Sequence, residues 1–190
     1  MPGCASVRAY PESELPVRWV VVAILAYVCI VIEQSLFRPG LLAIGIGGFS
    51  VRPDLLLVLG VFLALHLESY ESFVVGWCFG LASDLVSVTG RLGVGALLFG
   101  LVLYLIGFLR KGVFGARVLA QFLLCFGAVF IVHWAWFLAT AGLNAAPFQI
   151  WQVAEQAALE ALYSAFLAPY LFWLFAMLQG PLRLPVGAPE

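Results

Sequence analysis

The sequence predicts an all-α polytopic membrane protein with six transmembrane helices, and three observations carry that prediction. Of the 190 residues, 64% are hydrophobic and only 10% are charged, against roughly 25% charged in a domain whose surface must face water. The apolar residues gather in runs at 17–37, 53–67, 71–89, 92–109, 115–140 and 152–178, lengths close to the ~17–25 residues that cross a hydrocarbon core. Lys and Arg are shared unequally between the two sets of alternating loops, as membrane insertion requires.

Taken in order, residues 1–16 carry three prolines and mixed charge and read as a flexible N-terminal tail. The first run is long and lacks a small-x-small cleavage site, so it reads as a span and not a removable signal. The second run is short. The stretch before it, "LLAIGIGGFSV", holds Gly45, Gly47 and Gly48 and is a poor helix. It reads as a loop or short extended piece at the membrane surface, or as a re-entrant extension of the second span. Pro53 fits the first turn of that span, where its missing N–H is harmless.

The third and fourth runs are joined through "GWCFGLASDLVSVTGRLGVGALLFG", residues 76–100. Gly76, Gly80, Ser83, Asp84 and Ser87 recur at three- and four-residue steps on one face. Gly93, Ala96, Gly100 and Gly107 recur likewise on the next helix. Small faces let helix backbones approach closely in lipid, so the segment predicts a tight helical hairpin with its turn at Gly90 and Arg91. The fifth run is uniformly apolar around His133. On the sixth, Gln149, Gln152, Gln156, Glu160 and Tyr163 share a face, with Glu155 to the side. A half-span of this kind lines a bundle interior, a pocket or a protein interface. Residues 180–190, "GPLRLPVGAPE", read as a second flexible tail, leaving 17–179 as a single membrane domain.

With both termini in the cytoplasm, Arg8, Arg18, Arg110, Lys111, Arg117 and Arg183 lie inside, and Arg38, Arg52 and Arg91 lie outside. Trp19, Phe37, Tyr70, Trp151 and Trp173 flank the spans, as interfacial aromatics do. The net charge of -1 offers no basic field for nucleic acid. Cys4, Cys29, Cys78 and Cys125 form no CxxC pair and read as small hydrophobes where they fall within spans.

Polar side chains within the spans are Glu33, Asp84, His133, Gln152, Glu155, Gln156 and Glu160. Each is a functional candidate, because an ionised group at mid-membrane costs roughly 2.5–3.5 kcal/mol on insertion scales. Asp84 has two readings. It caps or bonds backbone near the turn, or it pairs with Arg91 or Arg52 and pins the loops. Asp54, in "RPDLLLVLG", reads as a helix cap at the positive end of the macrodipole, or with Arg52 as part of a partner-facing surface. His133 has no second His or Cys three or four positions away, so no metal site is expected. HExxH, GxSxG and phosphate-cradling loops are missing. Asp54 and Asp84 both fall near one membrane face, and "GLASD" lacks the glycine beside the acid that intramembrane aspartyl proteases show. A non-enzyme without a cofactor is therefore expected.

"RPDLLLVLGVFLAL" (52–65) and "FVVGWCFGLASDLVSVTGRLGVGALLFGLVLYLIGFL" (73–109) together resemble the rod shape-determining MreD family. The matching positions are Pro53–Asp54–Leu55–Leu56, then Gly76, Gly80, Leu81, Asp84 and Leu85, then Leu92–Gly93. The chain departs from the family in "HLESYE", where basic residues are usual, and in carrying Glu at both 155 and 160. The resemblance implies a non-catalytic, multi-pass protein of the bacterial inner membrane, working in cell elongation. Its implied partners are an MreC-like bitopic protein and, indirectly, the MreB filament and the RodA/class B transpeptidase pair of peptidoglycan synthesis. It also implies a fold like the S-components of vitamin transporters. The alternative is therefore a small-molecule- or lipid-binding membrane protein of that type, its pocket lined by Asp84 or the Gln152–Glu160 face.

Overall fold

The computed structural model describes residues 19–37, 44–46, 49–86, 93–109, 118–141 and 150–177. The elements are α1 (Trp19–Ile32), a π-helical turn (Glu33–Phe37), β1 (Ile44–Ile46), β2 (Phe49–Val51), α2 (Leu55–Ala64), α3 (Ser69–Val86), α4 (Val94–Leu109), α5 (Val118–Ala141) and α6 (Ile150–Met177). Each apolar run contains one helix. The glycine-rich stretch before α2 holds a two-stranded antiparallel sheet, in register Ile44↔Val51 and Ile46↔Phe49. Among the described residues the fold is therefore all-α apart from this strand pair.

The six helices are not six equal spans. The segments Gln121–Ala139 of α5 and Trp151–Met177 of α6 are each long and apolar enough to cross a membrane alone. By contrast, the ten residues of α2 reach only ~15 Å, half of a ~30 Å hydrocarbon core. Of the six expected spans, the second, read as short, is a helix too short to cross a full core alone. Every residue of α2 from Leu55 to Ala64 is buried, so this helix packs against protein on all sides and has no lipid thickness to match. Pro53 also differs from expectation. It lies before Asp54, the N-cap, and outside the first helical turn.

Helix directions follow from the contacts. α2 and α6 run parallel, since the Asp54 N–H donates to Ser164 Oγ at one level and Phe62 meets Phe172 and Phe175 further on. α3 returns from the short Leu65–Glu68 connection, and α4 runs back beside it, with Gly107 against Ser69 and Ser72. The bundle thus has an Asp84 end and a His66 end. Its core is built from α2 side chains such as Leu57, Leu59 and Leu63, with Leu103, Cys125 and Val129 around them. Over 157–168 the buried face of α6 is made of Ala157, Ala161, Ser164, Ala165 and Ala168, small residues that allow α2 and α5 to come close. Large side chains such as Tyr27, Trp77, Leu97, Phe166 and Trp173 point outward, as suits a lipid exterior. Of the cysteines, Cys29 and Cys125 are buried and Cys78 is exposed on α3.

The α3–α4 pair is the closest in the bundle. A Cβ built on Gly76 would stand 2.7 Å from the Phe99 carbonyl oxygen and 2.9 Å from Gly100 Cα. One built on Gly80 would stand 2.5 Å from the Gly95 carbonyl oxygen and 2.6 Å from Ala96 Cα. These neighbours are backbone and cannot rotate away. Gly93, expected on the packing face, instead has φ +102°, and a Cβ built on it would meet nothing within 4 Å. Its role is the left-handed turn into α4, which a Cβ would strain. Gly95 occupies the packed position.

Gly80→Ala is accordingly expected to lower stability by about 1–3 kcal/mol through overpacking. Gly127→Ala, on α5 with open space around it, should leave the melting temperature unchanged or raise it. Thermal unfolding of both variants in one detergent measures the difference.

Candidate functional site

Polar side chains converge at two places, both toward the Asp84 end. The first is the start of α4. A helix begins with N–H groups that have no intrahelical acceptor, and the residue at the N-cap position, Gly93, has no side chain to supply one. Asp84, reaching across from the last turn of α3, does so: Oδ2 accepts from the Gly93 N–H at 2.8 Å and from the Ala96 N–H at 3.2 Å. Asp84 is buried, and a carboxylate at a helix N-terminus also meets the positive end of the dipole. Gly95 makes room for it, because a Cβ there would collide with Oδ1. Gly95 carried no packing signal in the sequence, because it stands five residues before Gly100 and off the three- and four-residue steps of the Gly93, Ala96, Gly100 and Gly107 series. Arg91 lies outside the described residues, as do Gly90 and Ser87.

The second place lies deeper, where α1, α2, α5 and α6 meet. Asp54 caps α2, its Oδ1 accepting from the Leu57 N–H at 2.9 Å. Its own N–H donates to Ser164 Oγ at 3.0 Å, a bond spanning 110 residues. Glu33, in the π-helical turn after α1, accepts from the Leu56 N–H and lies within electrostatic reach of both Asp54 and Arg52. Asp54 in turn lies within reach of His133 on α5. His133 Nδ1 bonds the Val129 carbonyl at 2.9 Å, and Nε2 stands 3.1 Å from Glu160 Oε2 on α6. Gln156 Nε2 donates to Glu160 Oε1 at 3.1 Å.

This cluster brings together Arg52, Asp54, Gln156 and Glu160 from the residues singled out above. Glu33 and His133, also candidates as polar residues in apolar runs, join them here. Ser164 carried no signal at all, since a serine on a helix is ordinary until its partner is known. Gln152 and Glu155 are exposed and stand apart from the cluster, and Gln149 lies outside the described residues. Among the described residues no group of three His, Cys, Asp or Glu is placed to hold a metal.

Asp54 and Asp84 each spend carboxylate oxygens on a different helix start. Two acids tied into separate backbone caps suit architecture, whereas shared acid–base chemistry needs them converging on one reacting atom.

The family model for rod shape-determining protein MreD matches residues 13–178. The chain belongs to the MreD family. Membership makes it a membrane protein of rod-shape determination, in a shape-determining family that is not one of enzymes. The match covers both the α3–α4 hairpin with Asp84 and the deeper cluster on α2, α5 and α6. No curated protein and no solved structure matches the chain.

Asp84→Ala should destabilise this MreD-family chain by about 1–3 kcal/mol for each buried N–H it orphans. Asp84→Asn, which keeps an acceptor oxygen, should recover most of that loss. Comparing the two melting temperatures in detergent separates the cap from a need for charge: equal losses would mean the negative charge itself is required.

Proposed function

We propose that the chain is a non-catalytic scaffold of the cell-elongation machinery in the bacterial inner membrane. It binds an MreC-like bitopic protein and through it links the MreB filament and the RodA/class B transpeptidase pair to peptidoglycan synthesis. The observation that carries this reading is the family match over residues 13–178. The use of the two aspartates as helix caps supports it, because it makes the carboxylates parts of a rigid frame. A frame of this kind gives a partner helix a fixed surface, which is what a scaffold supplies.

Orientation follows from charge. The loop carrying Arg110, Lys111 and Arg117 follows α4 at the His66 end, so the positive-inside rule places that end in the cytoplasm. The Asp84 end then faces outward, and both termini lie inside. Thiol labelling of single-cysteine variants in intact cells tests this: position 113 should be protected from an impermeant reagent and position 89 labelled. Labelling at 113 would invert the topology.

Affinity purification of the tagged chain from solubilised rod-shaped cells should recover a bitopic protein with a large periplasmic domain, and depletion should round the cells. The alternative, a binding protein of the S-component type, is favoured by the polar cluster lodged within the bundle. Unchanged cell shape with loss of uptake of a vitamin-like solute would establish that alternative and sink the scaffold.

A further inference from the structure

Within the spans, Glu33, Asp54, Asp84 and Glu160 all have partners inside the bundle. Glu155 does not. It lies on the exposed side of α6, and among the described residues it makes no hydrogen bond or ion pair. Steps of three, four and seven residues put Trp151, Glu155, Leu162, Phe166, Tyr170 and Trp173 on one stripe of the helix, and all of them are exposed. Trp151 and Trp173 are separated by ~33 Å of helix, which fits a ~30 Å hydrocarbon core with an aromatic at each interface. Glu155 then stands one turn, ~6 Å, inside the outer aromatic level. At that depth a carboxylate turned outward meets acyl chains, which offer it neither a donor nor an opposite charge.

We infer that this stripe of α6 seats the transmembrane helix of a partner protein, and that the partner helix carries a Lys or Arg at its outer end, opposite Glu155. The inference rests on the scaffold reading and places that scaffold's partner on the fold. Charge complementarity selects the occupant. A Lys or Arg just inside the outer aromatic level supplies both the opposite charge and the N–H donors that the carboxylate lacks. Gln152, exposed three residues earlier, adds an amide beside it. The amine of a lipid headgroup sits at or above the level of Trp151, a turn away from Glu155, so lipid alone leaves the acid unmatched. A second copy of the chain, packed about a two-fold axis through this stripe, would turn Glu155 toward Glu155 and oppose like charges. The rest of the stripe suits a protein neighbour: Phe166 and Tyr170 lie with ring centroids 6.4 Å apart, and aromatic side chains are enriched at protein interfaces. The outward face of α4, by contrast, presents Leu97, Leu101 and Leu105, an aliphatic surface with no charge to match.

The test uses the tagged full-length chain in rod-shaped cells. A photo-crosslinking p-benzoylphenylalanine at position 162 should capture one bitopic protein, identified by mass spectrometry, whose membrane helix has a Lys or Arg near its outer end. The same probe at position 97, on α4, should not capture it. Glu155→Lys should cut copurification of that protein about tenfold with the melting temperature in detergent unchanged, since the side chain is exposed. Glu155→Gln, which keeps the size and removes the charge, should lower recovery in the same direction. Replacing the partner's cation by Glu should restore recovery to the Glu155→Lys chain and not to the wild type. Full recovery by Glu155→Lys, a charge swap that restores nothing, or a captured partner without that cation overturns the inference and leaves the scaffold reading standing. Capture at 162 of a second copy of the chain, or of lipid alone, does the same when the bitopic protein still copurifies. A wild-type chain that copurifies with no bitopic protein overturns both.

Discussion

Inside hydrocarbon no water is at hand to bond a stray N–H or C=O, and each unsatisfied group costs several kcal/mol. That constraint organises this molecule. Two helices, α2 and α4, have first-turn donors within the bundle, the Leu57 and Ala96 N–H groups among them, that would be orphaned without a side-chain acceptor. Asp54 serves α2 from the N-cap position. Asp84 serves α4 from another helix, because the local N-cap is a glycine needed for the turn. Glu33 takes a further α2 donor, the Leu56 N–H. Most of the acids that looked misplaced in an apolar chain are there to close helix starts.

Meeting those donors requires helices to be near enough for a carboxylate to reach across, and small residues provide the nearness. Asp84 can reach Gly93 and Ala96 because Gly80 lets α3 lie against Gly95 and Ala96, with Gly95 leaving space for the carboxylate itself. On the other side of the bundle, the alanine face of α6 brings Ser164 to the Asp54 N–H. Packing and polar satisfaction are therefore one arrangement: widening either helix pair by a methyl group would also lengthen the hydrogen bonds. In lipid, where burial of apolar surface does not drive helices together, such contacts and bonds supply the association energy.

The wholly buried α2 is the centre on which this depends. Its short length places its capped start deep in the bundle, and the strands β1 and β2 precede it where a longer helix would have run. Arg52, Asp54 and Glu33 are consequently brought to the level of His133 and Glu160. A full-length second span would have carried the Arg52–Asp54 pair to the membrane surface, away from α5 and α6. The cluster owes its existence to that missing half-span.

The family, the six helical segments and the glycine hairpin with its acid were legible in the sequence, because they rest on local composition and on the 3.6-residue period. Asp54 as a cap was legible for the same reason, being adjacent to the helix it serves. The pairing of His133 with Glu160 and of Asp54 with Ser164 was not, since these depend on the depth at which distant helices face one another. Nor was the difference between Gly93 and Gly95, which share a glycine's composition and differ only in backbone angle and neighbour. Sequence by itself determined which residues form helices and which solvent surrounds them, through periodicity and transfer energy. Only tertiary structure decided which polar groups share a hydrogen bond, because that is set by angstrom-scale approach between segments far apart in the chain.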